Sequence, residues 1–284
     1  MNTDITEQHI VCNGLDINYI DIGSGDVLVF LHNGGGFWQS WVKQLTYFSA
    51  SHRVIALDWP GFGKSDEPDS LLSVELFYEV LKDFINKLQL SAVTLIGNCI
   101  GGSAALLYAQ KHPIVISNLI IFNICPGKLI FPNKFFRVLI PKLNQYPRLK
   151  KTGASLLKFS FTKTWLKNRF PGILFAKGFS AEDPLFHKYL EVIKKPKQTR
   201  SRINLLFSVH TYTLTDYYDA NAKSDCLLVW GDDNQVTDLA THGNYHKARI
   251  THDDFVVIPN SGHLCMYEQP EKVNQVIESY LKQP

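Results

Sequence analysis

The sequence has no apolar run of about 18 residues, the length that a membrane-spanning helix needs. Its first residues, MNTDITEQHIVCNG, lack the basic segment and apolar stretch that a secretory signal peptide requires. The five cysteines, at positions 12, 99, 125, 226 and 265, are odd in number and form no Cys-x-x-Cys pair. That spacing argues against a disulfide framework and against a structural zinc site. We therefore expect a cytoplasmic protein without a membrane span, a metal or an organic cofactor.

Basic residues are scarce in most of the chain and concentrated in its middle. The 284 residues carry 29 Lys and Arg against 26 Asp and Glu. The segment 128–202 alone holds 18 of these basic residues and only 3 of the acidic ones. Segregation of this kind predicts a separate basic surface that favours acidic partners. No nucleic-acid-binding fold or basic-aromatic motif accompanies it, so we do not expect nucleic acid to bind.

Short apolar runs of strand length recur along the chain and alternate with helical patterns. Asn13 and Gly14 separate two alternating stretches between Ile10 and Ile22, which predicts a β-hairpin. Strand-like apolar runs cover 26–32, 52–59, 93–98, 118–125, 225–231 and 254–260. The stretch 73–90 has apolar residues at helical spacing behind Ser73, a plausible cap. The alternation predicts an α/β fold with a mostly parallel sheet flanked by helices.

The alternation breaks between residues 127 and 215. This stretch has no clear strand, is rich in lysine and aromatic residues, and is divided by six prolines. We interpret it as a helical insertion, here called the cap. It divides the chain into a first core part, 1–126, the cap, 127–215, and a second core part, 216–284. The aromatic residues of such a cap pack together and wall an apolar pocket above the core.

The segment GNCIGG, residues 97–102, carries the most specific chemical signal. Small residues two positions before and after Cys99 let the chain turn sharply from a strand into a helix, with the side chain exposed above the sheet edge. A nucleophile there lies at a helix N-terminus, which lowers the pKa of a thiol and favours the thiolate. Isolated cysteines are more often structural, so the surrounding glycines are what make Cys99 a candidate nucleophile.

Two glycine-rich loops follow other predicted strands, at the sheet edge where α/β proteins bind ligands. In LHNGGGFW, three consecutive glycines allow backbone N–H groups to approach a ligand closely, although a flexible turn explains them equally well. In DWPGFGKSD, the glycines and the proline form a tight turn, for which an architectural role is the better interpretation.

In order and spacing, LHNGGG, DWPGFGKSD, GNCIGG, WGDDNQVTD and IPNSGHLCMYEQPEKV resemble the signature segments of the α/β-hydrolase family. The family's nucleophile pattern is G-x-S-x-G, with aspartate in some branches, and Cys99 stands at that position. The family order of nucleophile, acid and histidine implies that His263 is the general base. The resemblance also implies an oxyanion hole formed by the N–H of Ile100, directly after the nucleophile, and that of Gly34 in the glycine loop.

The acid is where this sequence departs from the family pattern. The aspartate expected three residues after Gly231 is Asn234, preceded by Asp232 and Asp233. Either Asn234 orients His263, or the loop shifts so that Asp233 or Asp232 does. We favour Asn234, because a cysteine beside a protonated histidine does not need the carboxylate that a serine needs, as Cys-His-Asn proteases illustrate.

These features predict a hydrolase that forms a thioester acyl-enzyme on Cys99 from a small-molecule ester or thioester. The basic cap suits an acidic acyl carrier protein, coenzyme A or an anionic membrane surface, so release of an acyl or polyketide chain is the specific hypothesis. Three alternatives stay open: an ester or lactone hydrolase, an acyltransferase with the same Cys-His site, and a non-catalytic homologue that binds a ligand or partner. Branches with an aspartate nucleophile, such as epoxide hydrolases and haloalkane dehalogenases, are disfavoured.

Overall fold

A computed structural model describes residues 5–125, 127, 170–179, 184–208, 226–248 and 255–282. Most of the predicted cap and of the basic segment 128–202 lies outside these residues, so the basic surface stays a prediction. Within the described ranges, no helix is long and apolar enough to cross a membrane.

Eight strands in the described part of the chain form one sheet. Their bounds are β1 Gln8–Cys12, β2 Leu15–Ile22, β3 Val27–Leu31, β4 Arg53–Leu57, β5 Val93–Asn98, β6 Ile116–Phe122, β7 Leu227–Gly231 and β8 Phe255–Ile258. The spatial order is β1-β2-β4-β3-β5-β6-β7-β8. The β1–β2 and β2–β4 pairs are antiparallel, and the other pairs are parallel. The α/β fold class and the mostly parallel sheet are confirmed.

Helices cover both faces of this sheet. The described ones are α1 Val42–Phe48, α2 Val74–Lys87, α3 Ile100–Lys111, α4 Phe170–Ile173, α5 Pro184–Ile193, α6 Pro196–Ser208, α7 Asn244–Lys247, α8 Cys265–Glu268 and α9 Pro270–Leu281. Apolar residues of α2 and α3 form the core on one face, and those of α1, α8 and α9 form the core on the other.

The second helix, α2, illustrates how the sequence pattern selects local structure. Ser73 is extended, and its hydroxyl accepts the N–H of Leu76, one of the groups that a helix start leaves without a partner. Val74, Phe77 and Leu81 lie at helical spacing and are buried. Each such side chain contributes about 2 kcal/mol on burial, so packing of this face fixes the helix against the sheet.

The hairpin of β1 and β2 turns at the predicted Asn-Gly pair. Asn13 and Gly14 have φ angles of 50° and 76°. A two-residue turn whose twist matches that of its strands requires positive φ at both positions, which Asn and Gly tolerate. The predicted hairpin is present.

The described cap residues are helical and lie between β6 and β7 in the chain. They include α4, α5 and α6, and no strand occurs among the described residues of 127–215. The boundaries of the cap stay a prediction. Helix α6 packs on the core loops, since Ser201 Oγ donates to Gly61 O and Asn204 Oδ1 accepts the N–H of Leu72 at 2.9 Å.

Candidate functional site

The candidate site residues come just after parallel strands, at the carboxyl edge of the sheet. Cys99 follows β5, Asn234 follows β7 and His263 follows β8, while Gly34 lies in the loop after β3. Parallel strands end on the same side of a sheet, so the loops that carry these residues share one edge.

The turn at Cys99 has a backbone conformation that its neighbours must allow. Its φ is 54° and its ψ is −115°, on the positive side of φ that residues other than glycine rarely adopt. A Cβ on Gly97 would lie 2.6 Å from the backbone of Gly101, and a Cβ on Gly101 would lie 2.5 Å from Leu31 O. The glycines therefore let β5, α3 and β3 approach this closely, and the predicted sharp turn is present.

The Cys99 side chain is 6% exposed, and three groups contact its sulfur. These are the backbone N–H groups of Ile100 and Gly34 and the thiol of Cys125, which lie close enough to shift the pKa of Cys99. Contact with Cys125, followed by burial, raises the pKa of Cys99 well above its ordinary value, while the two N–H groups lower it by less. The direction of this pKa shift is opposite to the one that the helix N-terminus predicts, and it favours the neutral thiol.

The loop after β3 is fixed in place by a buried histidine. His32 Nδ1 donates to Asn33 O at 2.7 Å, and His32 Nε2 accepts the N–H of Trp59 at 2.9 Å. From above, the loop is covered by α6, because a Cβ on Gly34 would lie 2.5 Å from Leu205 Cδ2. These contacts hold the Gly34 N–H at the cysteine sulfur.

The turn after β4, which contains DWPGFGKSD, is organised by the buried carboxylate of Asp58. Asp58 Oδ1 accepts the N–H of Trp38 at 2.7 Å, and Oδ2 accepts the N–H of Lys64 at 2.9 Å and Asn18 Nδ2 at 2.8 Å. Burial raises the pKa of Asp58 to about 6, although these bonds lower it. The contacts agree with the architectural interpretation of this segment.

His263 is buried, with 1% of its surface exposed, and burial lowers its pKa to about 3. It lies in the histidine loop, residues 259–264, between β8 and α8. Its backbone carbonyl accepts Asn98 Nδ2 at 3.1 Å and Asn123 Nδ2 at 3.2 Å. Asn98 directly precedes Cys99, so its side chain joins the nucleophile turn to the histidine loop. Within the described part of the chain, His263 Nδ1 has no hydrogen-bond partner.

Asn234 makes the hydrogen bonds that the structure shows for its amide with groups other than His263, so its role in orienting the imidazole stays a prediction. Its Oδ1 accepts the N–H groups of Val236 and Thr237 at 2.9 and 3.0 Å. Its Nδ2 donates to Asn123 Oδ1 at 2.9 Å and to Thr237 Oγ1 at 2.8 Å. The amide is used within its own turn and by the neighbouring strand end, as short polar side chains in turns commonly are.

The two aspartates before Asn234 also have other partners. Asp232 Oδ1 accepts the N–H of Ser261 at 3.1 Å. Asp233 Oδ2 accepts the N–H of Lys177 at 2.6 Å, and its Oδ1 lies 3.7 Å from Lys177 Nζ. Both carboxylates therefore connect the β7 turn to neighbouring segments, and neither hydrogen bonds to the imidazole.

The sheet and the order of its loops have counterparts in known proteins. A family model described as the alpha/beta hydrolase fold matches residues 26–270. The chain belongs to this family. Its eight-stranded sheet and flanking helices have the architecture that the signature segments implied, so the resemblance to the α/β-hydrolase family is confirmed.

Individual relatives are hydrolases of several kinds. Epoxide hydrolase 3 of Xenopus tropicalis is 26% identical over 95% of this chain and 76% of its own length. The 2-hydroxy-6-oxononadienedioate/2-hydroxy-6-oxononatrienedioate hydrolase of Paraburkholderia phymatum is 25% identical over 95% of this chain and 92% of its own. The structure of a thermophilic esterase from Thermogutta terrifontis has a TM-score of 0.77 at 21% identity and covers 98% of both chains, which shows the shared fold.

Three residues of this α/β-hydrolase site were not identified from the sequence: Asn98, Asn123 and Cys125. Asn98 and Asn123 are fully buried where β5 and β6 end. The sequence did contain a signal for these two residues, since each is a polar residue at the end of an apolar strand. A buried amide requires hydrogen-bond partners, so such a position indicates a structural or functional role. Cys125 gave no such signal, because its contact with Cys99 depends on how β5 and β6 pair.

A hydrogen bond from Asn98 to the backbone carbonyl of His263 joins the histidine loop to the turn that carries Cys99. All five cysteines are free thiols. No group of three or more His, Cys, Asp or Glu residues that could hold a metal ion occurs among the residues the structure describes. In general, a thiol can act as a nucleophile, an imidazole as a base, and backbone N–H groups as donors to a negatively charged oxygen.

Proposed function

We propose that this α/β-hydrolase is a cysteine-dependent acyl hydrolase, in which Cys99 attacks the carbonyl carbon of an ester or thioester. The observation that supports it is the strained turn that places Cys99 between β5 and α3, with the Gly34 and Ile100 N–H groups near its sulfur. Two fixed donors at the nucleophile match the needs of a tetrahedral intermediate, whose anionic oxygen each donor stabilises by about 3 kcal/mol.

The proposed reaction has two halves with His263 as the proton carrier. In the first, the thiol proton of Cys99 passes to His263 as sulfur bonds to the carbonyl carbon. The bond to the leaving alcohol or thiol then breaks, the leaving group takes the proton from His263, and a thioester remains on Cys99. In the second, His263 takes a proton from water as the water oxygen bonds to the thioester carbonyl carbon. The C–S bond then breaks, the Cys99 sulfur takes the proton back from His263, and the carboxylic acid leaves.

The resting position of the thiol has a consequence for substrate binding. The two N–H groups that the substrate oxygen requires lie near the sulfur. A carbonyl oxygen that accepts hydrogen bonds from them therefore brings its carbonyl carbon next to the sulfur. Because burial lowers the pKa of His263 to about 3, the imidazole is neutral at neutral pH, as a general base must be.

A histidine without a carboxylate partner is consistent with a cysteine nucleophile. A serine has a far higher pKa, so its base develops an imidazolium that requires a carboxylate for stabilisation. A thiol has a lower pKa than a serine hydroxyl in the same surroundings, so it depends less on this carboxylate, although burial at this site opposes charge on both Cys99 and His263. In place of a carboxylate, Asn98 and Asn123 hold the backbone of His263.

The thiol also discriminates between the activities named for the relatives. Attack of sulfur on an epoxide carbon opens the ring and leaves a thioether, which offers no carbonyl carbon for water to attack. An acyl substrate leaves a thioester instead, which water cleaves with return of the thiol. Cys99 therefore favours acyl transfer to water over epoxide hydrolysis through a covalent intermediate.

Trapping the acyl-enzyme tests the proposal. The protein is mixed with activated acyl esters and acyl thioesters, quenched in acid and analysed by intact and peptide mass spectrometry. We expect an acyl adduct on Cys99, which is lost in Cys99→Ala together with a fall in kcat/KM of at least roughly 10³-fold. Cys99→Ser should also be nearly inactive, since His263 lacks the carboxylate that serine needs. Cys226→Ala, a buried cysteine elsewhere, is the matched control.

A substrate panel separates the finer hypotheses. Preference for acyl-CoA or an acyl carrier protein over simple esters supports chain release at the basic cap, and transfer to an added alcohol or amine identifies an acyltransferase. Unchanged activity in Cys99→Ala, or turnover of an epoxide to a diol, contradicts the covalent mechanism. Ligands that raise the Tm without being turned over would instead indicate a non-catalytic homologue.

A further inference from the structure

The histidine loop is in backbone contact with the cap segment, defined here as residues 174–177, which follow α4. A Cβ on Gly262 would lie 2.5 Å from Ala176 N and 2.5 Å from the carbonyl carbon of Phe175. Glycine is thus the residue that lets the two backbones touch directly before His263. Any movement of the cap segment is transmitted to the residue next to the proposed base.

Hydrogen bonds on both sides of His263 lead to this segment. Glu268, the last residue of α8, accepts the N–H of Gly262 with Oε2 at 2.7 Å and the N–H of Ala176 with Oε1 at 2.7 Å. On the other side, the N–H of Leu264 donates to Leu174 O at 3.0 Å. One carboxylate therefore joins the residue before the histidine to the cap backbone.

We propose that Glu268 is a positioning residue for His263 and a pH-sensitive latch between the histidine loop and the cap segment. Its two oxygens satisfy two largely buried N–H groups on separate segments, which holds the segments in register. The positioning role of Glu268 rests on the proposed function, because it assumes that His263 is catalytic. The latch rests only on the hydrogen bonds of Glu268 to the two segments.

Charged and titratable neighbours make the latch sensitive to pH. Burial raises the pKa of Glu268 to about 7, the two N–H bonds lower it by less, and Asp233 and Asp232 on the β7 turn raise it further. Lys177 of the cap segment is paired with Asp233. At the start of α8, burial followed by the charge of Glu268 raises the pKa of Cys265 to about 12.

The sign of the pH dependence follows from the two states of the latch. An opened latch places Glu268 in water, where its pKa returns towards 4.5, below the value of about 7 in the closed state. The closed state thus binds the proton more tightly. Its added stability is complete below pH 4.5 and is lost as the pH rises to about 7.

Hydrogen–deuterium exchange tests the latch without any substrate. Peptides covering 174–177 and 261–264 are followed between about pH 5 and pH 8, with rates corrected for intrinsic exchange. In the wild type, we expect opening to increase by up to about tenfold per pH unit below pH 7 and to level off above it. Glu268→Gln keeps the volume but has one acceptor oxygen and a donor facing an N–H, so exchange should be faster and independent of pH. Glu271→Gln, an exposed carboxylate nearby, should match the wild type.

Kinetics on an acyl substrate test the positioning role. Misplacement of His263 in Glu268→Gln should lower kcat by roughly 10- to 100-fold with a smaller change in KM. Absence of turnover in every variant and in the wild type overturns the proposed function, and the exchange data then decide on the latch alone. Exchange that is independent of pH in the wild type, or equal in wild type and Glu268→Gln, overturns the latch even if the enzyme is active.

Discussion

At the scale of single residues, the chemistry of Cys99 is set by neighbours that are distant in the chain. The helix N-terminus and two N–H donors favour a thiolate, but the Cys125 contact and burial outweigh them. The sequence therefore identifies Cys99 as the candidate nucleophile. The pKa of its thiol depends on Cys125, which the pairing of β5 with β6 brings close to it. Changing Cys125 separates these two contributions.

Replacement of Cys125 should make Cys99 more reactive. In Cys125→Ala, loss of the thiol contact lowers the pKa of Cys99, so alkylation by iodoacetamide at neutral pH should accelerate by roughly tenfold for each unit that the pKa falls. Peptide mass spectrometry measures the rate at Cys99 alone. Cys12→Ala, a buried cysteine of β1, serves as the control and should leave the rate unchanged. An unaltered rate in Cys125→Ala would contradict the assignment.

The sequence identified Cys99 and His263 as candidates but not the groups that hold them. The glycine spacing around Cys99 has a steric meaning that can be derived from sequence, because a Cβ at Gly101 has no space. The partners of His263 could not be derived in this way, because they act on its backbone carbonyl and come from Asn98 and Asn123 on two other strands. The hydrogen bonds of Asn234 could not be derived from the sequence for a related reason, since its amide oxygen bonds within its own turn.

At the scale of elements, the strands could be predicted from the sequence, whereas the contacts of the cap with the core could not. The continuous apolar runs of β3 to β7 match strands whose apolar residues are mostly buried on both faces, as the pattern predicts. At the sheet edge, β8 leaves Val257 exposed. The cap lacks such a pattern, and its contacts with the core are made by single side chains such as Ser201 and Leu205 against glycine loops. Contacts of this kind depend on the tertiary fold and produce no periodic pattern in the sequence.

The junction of β5 and α3 is the element whose geometry tolerates least change. In Gly101→Ala, the added Cβ would meet Leu31 O at 2.5 Å and His32 O at 2.6 Å, both backbone atoms. We expect a loss of about 2 to 3 kcal/mol in the free energy of unfolding, and a loss of activity because the Ile100 N–H moves with the helix start. Denaturant unfolding and steady-state kinetics measure the two effects.

Gly172→Ala provides the matched comparison for that variant. Nothing lies within 4 Å of a Cβ at Gly172, so its stability should change by less than about 0.5 kcal/mol. Equal stability of Gly101→Ala and Gly172→Ala would show that the junction can relax, and the steric account of the GNCIGG segment would then be wrong.

At the scale of the whole molecule, buried ionisable groups influence stability in opposite directions. Burial lowers the pKa of His32 to about 3 and that of His263 to about 3, and it raises the pKa of Asp58 to about 6. Depressed histidine values weaken the folded state as the pH falls, whereas raised carboxyl values weaken it as the pH rises. The stability of the wild type is therefore a sum in which one group can be isolated only by comparison with a variant.

His32→Gln isolates the histidine contribution. The folded pKa of His32 is about 3 against an unfolded value of 6.5, so its contribution is fully present above pH 6.5 and is lost as the pH falls towards 3. Protonation would also place a donor at Nε2 against the N–H of Trp59. Between about pH 6 and pH 4, the wild-type free energy of unfolding should fall more steeply than that of His32→Gln, by about 1 kcal/mol per pH unit.

Urea unfolding at several pH values measures this slope, and substitution of the exposed His187 in His187→Gln should leave it unchanged. Parallel curves for the wild type and His32→Gln would mean that His32 has the same pKa in the folded and unfolded states, which its two hydrogen bonds and complete burial oppose.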